Sequence, residues 1–182
     1  GIDLGLKDSA TTSSGDKLTI KQTLKYAKDL ATAQRAKNKQ HVKAIHAKIK
    51  NTRQDLIHKF TTQLVKDNAL IVVGDVKTTQ FNSKKGKLAK SVYDAGWFEL
   101  KRQLTYKCKN AGCRFEIVNE RYTTQTCSCC GDMSSSLSGR AGLRIREWTC
   151  VKCDTRHDRD INASRNILAV GLDRLGAGIP SL

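Results

Sequence analysis

The first six residues set apolar Ile2, Leu4 and Leu6 around a single acid, Asp3. That alternation predicts a strand with Asp3 on the face opposite its apolar neighbours. A Ser13-Ser14-Gly15-Asp16 turn separates two further short strand candidates, residues 9–12 and 17–20, so the start reads as an antiparallel meander. The period then changes. Residues 23–68 hold neither Gly nor Pro, and their apolar positions (Leu24, Ala27, Leu30, then Val42, Ile45, Ile49, then Leu56, Phe60, Leu64) recur at helical spacing. One or two long helices with a basic outer face are expected, with a polar break at Lys37-Asn38-Lys39-Gln40; a coiled coil is the competing reading. The continuous apolar run Ala69-Leu70-Ile71-Val72-Val73 predicts a buried, parallel strand. A basic loop follows from Lys77 to Lys87, then a helix over 88–107 and a strand over 115–118. Residues 121–157 carry little periodic pattern and include a Ser134-Ser135-Ser136 loop. A last helix is expected over 160–175, with a frayed Gly/Pro tail.

This order of elements predicts a mixed sheet with helices on its faces. It occurs in the RNase H-like fold, and other α/β folds share parts of it. The 182 residues suit one domain with a small appended module. Gly1 leads straight into the first strand, as in a domain met at its first core strand within a longer protein. No run of about 18 apolar residues exists, so neither a membrane span nor a secretory signal is expected. The 33 Lys and Arg outnumber the 17 Asp and Glu, a net charge of +16. Such a surplus favours a polyanionic partner, with nucleic acid first and an anionic membrane second. A merely soluble surface is the plainer alternative, although a magnitude of about 2–8 is enough for that.

Seven cysteines, an odd number, sit mostly in the C-terminal half. Cys127 and Cys130 form one C-x2-C pair, Cys150 and Cys153 a second, and 19 residues lie between them. Two such knuckles place four thiolates around one tetrahedral Zn2+. Gly131 follows Cys130, where the knuckle turn favours positive φ. Four protein ligands leave no position for an activated water, so the zinc is structural. Cys129 is an alternative ligand to Cys130, and His157, four residues after Cys153, is a further competitor. Cys108 and Cys113 are read as free thiols rather than a second site.

In so basic a chain, acids on core elements need a reason. A buried lone carboxylate is costly unless it is paired or holds a metal; Asp3 inside the first apolar strand is either such an acid or a plain surface strand residue. Asp160 starts the last helix in line with Ala163, Ser164 and Ile167, the side expected to face the sheet. A capping or dipole role is the plain reading for such an acid and suits Asp158 better. Carboxylates converging at strand and helix ends bind Mg2+ through oxygen.

Three stretches carry a resemblance. They are Gly1-Ile2-Asp3-Leu4-Gly5, the Tyr122-Thr123-Thr124-Gln125-Thr126-Cys127-Ser128-Cys129-Cys130-Gly131 knuckle, and His157-Asp158-Arg159-Asp160-Ile161-Asn162-Ala163-Ser164-Arg165-Asn166-Ile167. Together they resemble the RuvC-like nuclease half of the transposon-encoded TnpB (OrfB) proteins, relatives of the compact type V CRISPR effector nucleases. The resemblance covers nearly the whole chain. It implies an RNase H-like (RuvC) fold over residues 1–120 and 156–182, with a four-cysteine zinc-ribbon insertion over 121–155. It also implies RNA-guided cleavage of a DNA target by divalent metals (Mg2+, or Mn2+), in a prokaryotic, cytoplasmic and nucleoid-associated protein. The guide-binding and target-recognition part would lie before Gly1.

By the same pattern, Asp3 matches the first catalytic acid and Asp160 the last. The middle acid departs: the family usually has Glu followed by Asp where this chain has Gly74 and Asp75. Glu120, ending the neighbouring strand, is the candidate replacement. Asp75 and an inactive site are the alternatives. The resulting expectation is a metal-dependent endonuclease using Asp3, Glu120 and Asp160, with basic helices and the Lys77 to Lys90 stretch gripping phosphates. Trp97 and Tyr122 are candidates to stack on a base, but packing roles are the simpler reading. Rivals are a nuclease-inactive nucleic-acid-binding module, a zinc-ribbon scaffold for protein partners, and a DNA-strand-transfer transposase.

Overall fold

The computed structural model describes residues 1–76, 87–138, 142 and 144–176, with residues 87–90 by their backbone only. The expected basic loop and the C-terminal tail lie outside the described residues. The first three strands, β1 (Ile2–Asp3), β2 (Ala10–Thr12) and β3 (Lys17–Leu18), form the antiparallel meander. Strand β4 (Leu70–Gly74) runs parallel to β1, with Ile2 opposite Val73. Strand β5 (Arg114–Val118) runs parallel to β4, and Gly74 pairs with Val118 at their shared end. The sheet order is β3-β2-β1-β4-β5. This is the mixed α/β fold class expected, a mixed sheet flanked by helices.

Helical segments supply the crossovers. Residues 22–67 form α1 (Gln22–Lys25), α2 (Ala27–Arg35) and α3 (Lys39–Asp67). The predicted break is real: Lys37 has φ 51°, and the Asn38 side chain caps α3 by accepting from the His41 amide at 3.0 Å. The buried stripe of α3, Ile45, Ile49, Arg53, Ile57 and Thr61, packs within the chain, which removes the coiled-coil reading. The single helix expected over 88–107 is instead two, α4 (Lys87–Ala95) and α5 (Trp97–Ala111). Gly96 divides them at φ 70°, and a Cβ there would lie 2.8 Å from Ile57 Cδ1. Both the left-handed backbone and the contact with α3 demand glycine.

The last helix, α6 (Arg159–Gly176), covers the opposite sheet face. Along β4, Ile71 and Val73 join the core shared with Ile57, Leu100 and Leu104, whereas Val72 joins Val118 and Ile167 of α6. Apolar cover on both sides explains the unbroken run of this strand. Between β5 and α6, the hairpin β6 (Glu147–Thr149) and β7 (Arg156–Asp158) closes over a small core of Cys127, Leu137, Trp148 and Cys150. The serine stretch expected as a loop includes a short 3-10 turn, Ser135–Leu137. No helix among the described residues is long and apolar enough to cross a membrane.

Candidate active site

Strands β1, β4 and β5 are mutually parallel, so their C-terminal ends share one edge of the sheet. Such edges are where open α/β sheets place ligands. Asp3 ends β1, Glu120 lies just beyond β5, and Asp160 sits in the first turn of α6. All three line one cavity of about 440 Å³, together with Thr123, Arg146 and Arg159.

Burial and like charge raise two of the cavity's carboxyls. Burial, then the charge of Asp160, then that of Glu120 push the Asp3 carboxyl up to about 7, against the pull of Arg159 and the Leu4 amide. Burial also raises Glu120, reinforced by Asp75 and opposed by Lys101. Arg146 donates to Asp160 Oδ1 at 3.4 Å, and the buried Arg159 guanidinium is held by the Gly142 carbonyl. Asp158 takes the capping role: it accepts from the Asp160 and Ile161 amides at 2.9 and 3.0 Å, leaving the Asp160 carboxylate to the cavity.

Glu120 occupies the space above Gly74. A Cβ built on Gly74 would lie 2.9 Å from Glu120 Oε2 and 3.2 Å from Glu120 Cβ. The glutamate and a side chain at 74 therefore compete for one volume. Asp75 is turned away: it is half exposed and bridges Lys101 at 2.9 Å, outside the cavity lining. Trp97 is core, 3% exposed, with its indole donating to the Ser9 carbonyl at 3.1 Å. Tyr122 is exposed, with the Arg121 guanidinium 4.9 Å above its ring.

The second cluster lies in the hairpin module. The Sγ atoms of Cys127, Cys130, Cys150 and Cys153 all lie within 4.8 Å of one another, the only such set of three or more donors among the described residues. Four converging sulfurs are the donor set of a structural zinc. Gly131 adopts φ 75° after the first knuckle. The Thr155 hydroxyl and amide hold Cys153 down at about 6, whereas burial pushes Cys127 up and Cys130 is raised to about 12, so the cluster divides between thiolate and thiol. Cys129 is exposed, and Cys108 and Cys113 are free thiols. His157 approaches the cluster, but its Nε2 meets Cys127 Sγ at 3.1 Å while its ring lies 4.7 Å from Trp148.

The three acids are spread more widely than the sulfurs and form no set of donors within 4.8 Å of one another. The two arginines of the cavity and the asparagines behind it escape a reading of the sequence. The one signal they leave there is polar residues on the buried stripe of α6, notably Asn162 at 1% exposure.

Two family models cover most of the chain. Residues 1–83 match "Probable transposase" and residues 97–167 match "Cas12f1-like, TNB domain". A Streptomyces pristinaespiralis protein named "Putative RNA-guided DNA endonuclease" is 36% identical over 98% of this chain and 46% of its own length. This chain belongs to the TnpB/OrfB family. An Escherichia coli (strain K12) member, "Putative RNA-guided DNA endonuclease InsQ", is 31% identical over 98% of this chain and 50% of its own length. The chain thus spans about half the length of these TnpB/OrfB relatives. The fold is shared with a Cas12f1 chain solved by cryo-EM in an sgRNA-target DNA complex, at TM-score 0.68 and 17% identity, over 92% of this chain and 48% of that one.

Proposed function

We propose that this chain is the nuclease portion of an RNA-guided DNA endonuclease, hydrolysing phosphodiester bonds at the cavity of Asp3, Glu120 and Asp160. The observation that carries the reading is Glu120 filling the volume above Gly74, which puts a third carboxylate beside two others at one sheet edge. Divalent ions bound there would activate a water and stabilise the departing 3′ oxygen. Asp3, Glu120 and Asp160 would hold those ions, and cation binding would offset the burial and the neighbouring charges that raise Asp3. Arg146 and Arg159 line the same cavity and offer guanidinium groups to a phosphate entering it. Exposed lysines of α3, such as Lys43, Lys48 and Lys50, supply sequence-independent backbone contacts. The four cysteines fit a structural zinc that holds the module between β5 and α6. Guide RNA and target DNA are the proposed partners, in keeping with the names of the relatives.

The test is Mg2+-dependent cleavage of a guide-matched DNA duplex by the RNA-loaded protein. Glu120→Gln should lower the rate by at least about 10²-fold, the scale of one preorganised charged group. Asp75→Asn should leave it within about threefold, as for a partly exposed ion pair. Cleavage unaffected by Glu120→Gln, or absent from the parent protein, would return the chain to the nuclease-inactive binding reading.

A further inference from the structure

Behind the acid cavity, two side-chain amides of α6 grip the segment that follows Glu120. The Asn162 amide nitrogen donates to the carbonyls of Thr126 and Thr123 at 2.8 and 3.4 Å. The Asn166 amide nitrogen donates to the same two carbonyls, at 2.7 and 2.8 Å. Asn162 Oδ1 accepts from the Ser128 amide at 2.9 Å, next to zinc-ribbon Cys127. Thr123 continues the chain of contacts, its hydroxyl and amide both donating to the Glu120 carbonyl at 2.7 and 3.2 Å.

We propose that Asn162 and Asn166 are positioning residues that fix the Glu120 carboxylate in register with Asp160 through Thr123. The proposal rests on the acid cavity being the metal site. Glu120 belongs to no helix or strand: β5 ends at Val118, and the turn beyond it contains Tyr122 at φ 67°. A carboxylate on such a turn needs an external reference to hold a ligand geometry. The reference is α6 itself, because Asn162 stands two residues from Asp160 on the same rigid helix. Only an amide suits the task. Each nitrogen satisfies two carbonyls, and the Asn162 oxygen also takes a backbone N–H; aspartate would present oxygens to carbonyls, and leucine would leave them unpaired. The zinc ribbon shares the clamp, since Ser128 follows a thiolate ligand directly.

The distinguishing measurement is binding of Mn2+, as a spectroscopic stand-in for Mg2+, to this chain by electron paramagnetic resonance, with zinc content measured in parallel. Asn166→Ala should keep one zinc per chain and weaken Mn2+ binding about tenfold or more, the scale typical of groups that orient metal ligands. Thr123→Val should weaken it about fivefold, the worth of one neutral hydrogen bond. In a Glu120→Ala background, Asn166→Ala should make no further difference, because the clamp acts through that carboxylate. A zinc-loaded Asn166→Ala protein with parental Mn2+ affinity, or an equal added loss in the Glu120→Ala background, overturns the proposal. If Asn166→Ala sheds its zinc, Thr123→Val decides, and unchanged Mn2+ affinity there overturns it. A parent chain that binds no Mn2+ refutes the cavity as a metal site, and the clamp with it.

Discussion

The acid cavity and the cysteine cluster are two ways of bringing candidate metal ligands together. The cysteines come from within 27 residues, on two knuckles whose turns bring the sulfurs together without help from the sheet. The acids come from positions 3, 120 and 160, and only the parallel pairing of β1, β4 and β5 with α6 across them brings these together. The cysteine site is soft, neutral when protonated and closed, so it suits a permanent ion. The acid site offers hard, mutually repelling oxygens to an open cavity. The difference teaches that a local site advertises itself in spacing, whereas a site built by topology shows in sequence only as misplaced charges.

Removing the local site should have the largest effect. Cys127→Ser should abolish stoichiometric zinc and unfold the hairpin module, since structural zinc is worth about 10 kcal/mol or more to such modules. Zinc content with protection of β6 and β7 amides from hydrogen exchange checks this. If the sheet domain melts unchanged while the module opens, the two regions are separable; if both collapse, α6 couples them.

The acid site should show its strain as pH dependence. Asp3 is held near 7 when folded and titrates near 3.8 when unfolded, so the folded state binds its proton more tightly. Below pH 4 the carboxyl is protonated in both states and carries no penalty. Between about 4 and 7 the penalty grows as pH rises, and it is complete above 7. In metal-free protein at pH 8, Asp3→Asn should therefore raise the melting temperature by at least about 4 °C, taking ~2–4 °C per kcal/mol for this size. The gain should fade towards pH 4, and added Mg2+ should stabilise the parent but not the variant.

A smaller effect sharpens the contest for one volume. Gly74→Glu alone should destabilise by about 1–3 kcal/mol through overpacking against Glu120, read from denaturant unfolding. Combined with Glu120→Ala, which removes the 2.9 Å Oε2 contact while leaving the Glu120 Cβ and Ile167 Cδ1 in place, the same substitution should cost less and recover part of the Mn2+ binding that Glu120→Ala loses. A double variant no better than Glu120→Ala on either measure would show that the two strand ends do not serve one site.

Much of the fold is visible in the pattern. The turn before β3 and the apolar run that becomes most of β4 form where the pattern says, and the Gly-free stretch is helical but in three pieces rather than one or two, with an unpredicted break at Tyr26. The single helix expected over 88–107 fails at Gly96, because a lone glycine within a helical period reads as a tolerated interruption. The steric demand of Ile57, some forty residues away, makes it a break. The site divides in the same manner. The four clustered cysteines follow from spacing, and Asp3 from its odd place in a strand. Arg146, Asn162 and Asn166 matter through partners that only the packed structure supplies, and the one local mark among them is a polar residue on the apolar stripe of α6.

The level pairing of Gly74 with Val118 has a consequence for the lineage of this fold. Two neighbouring strand ends open onto the same volume, and that volume admits one bulky acid. Chains sharing this register should therefore carry the carboxylate on one strand or on the other, and a change of strand must pass through an ancestor that was either crowded or bare.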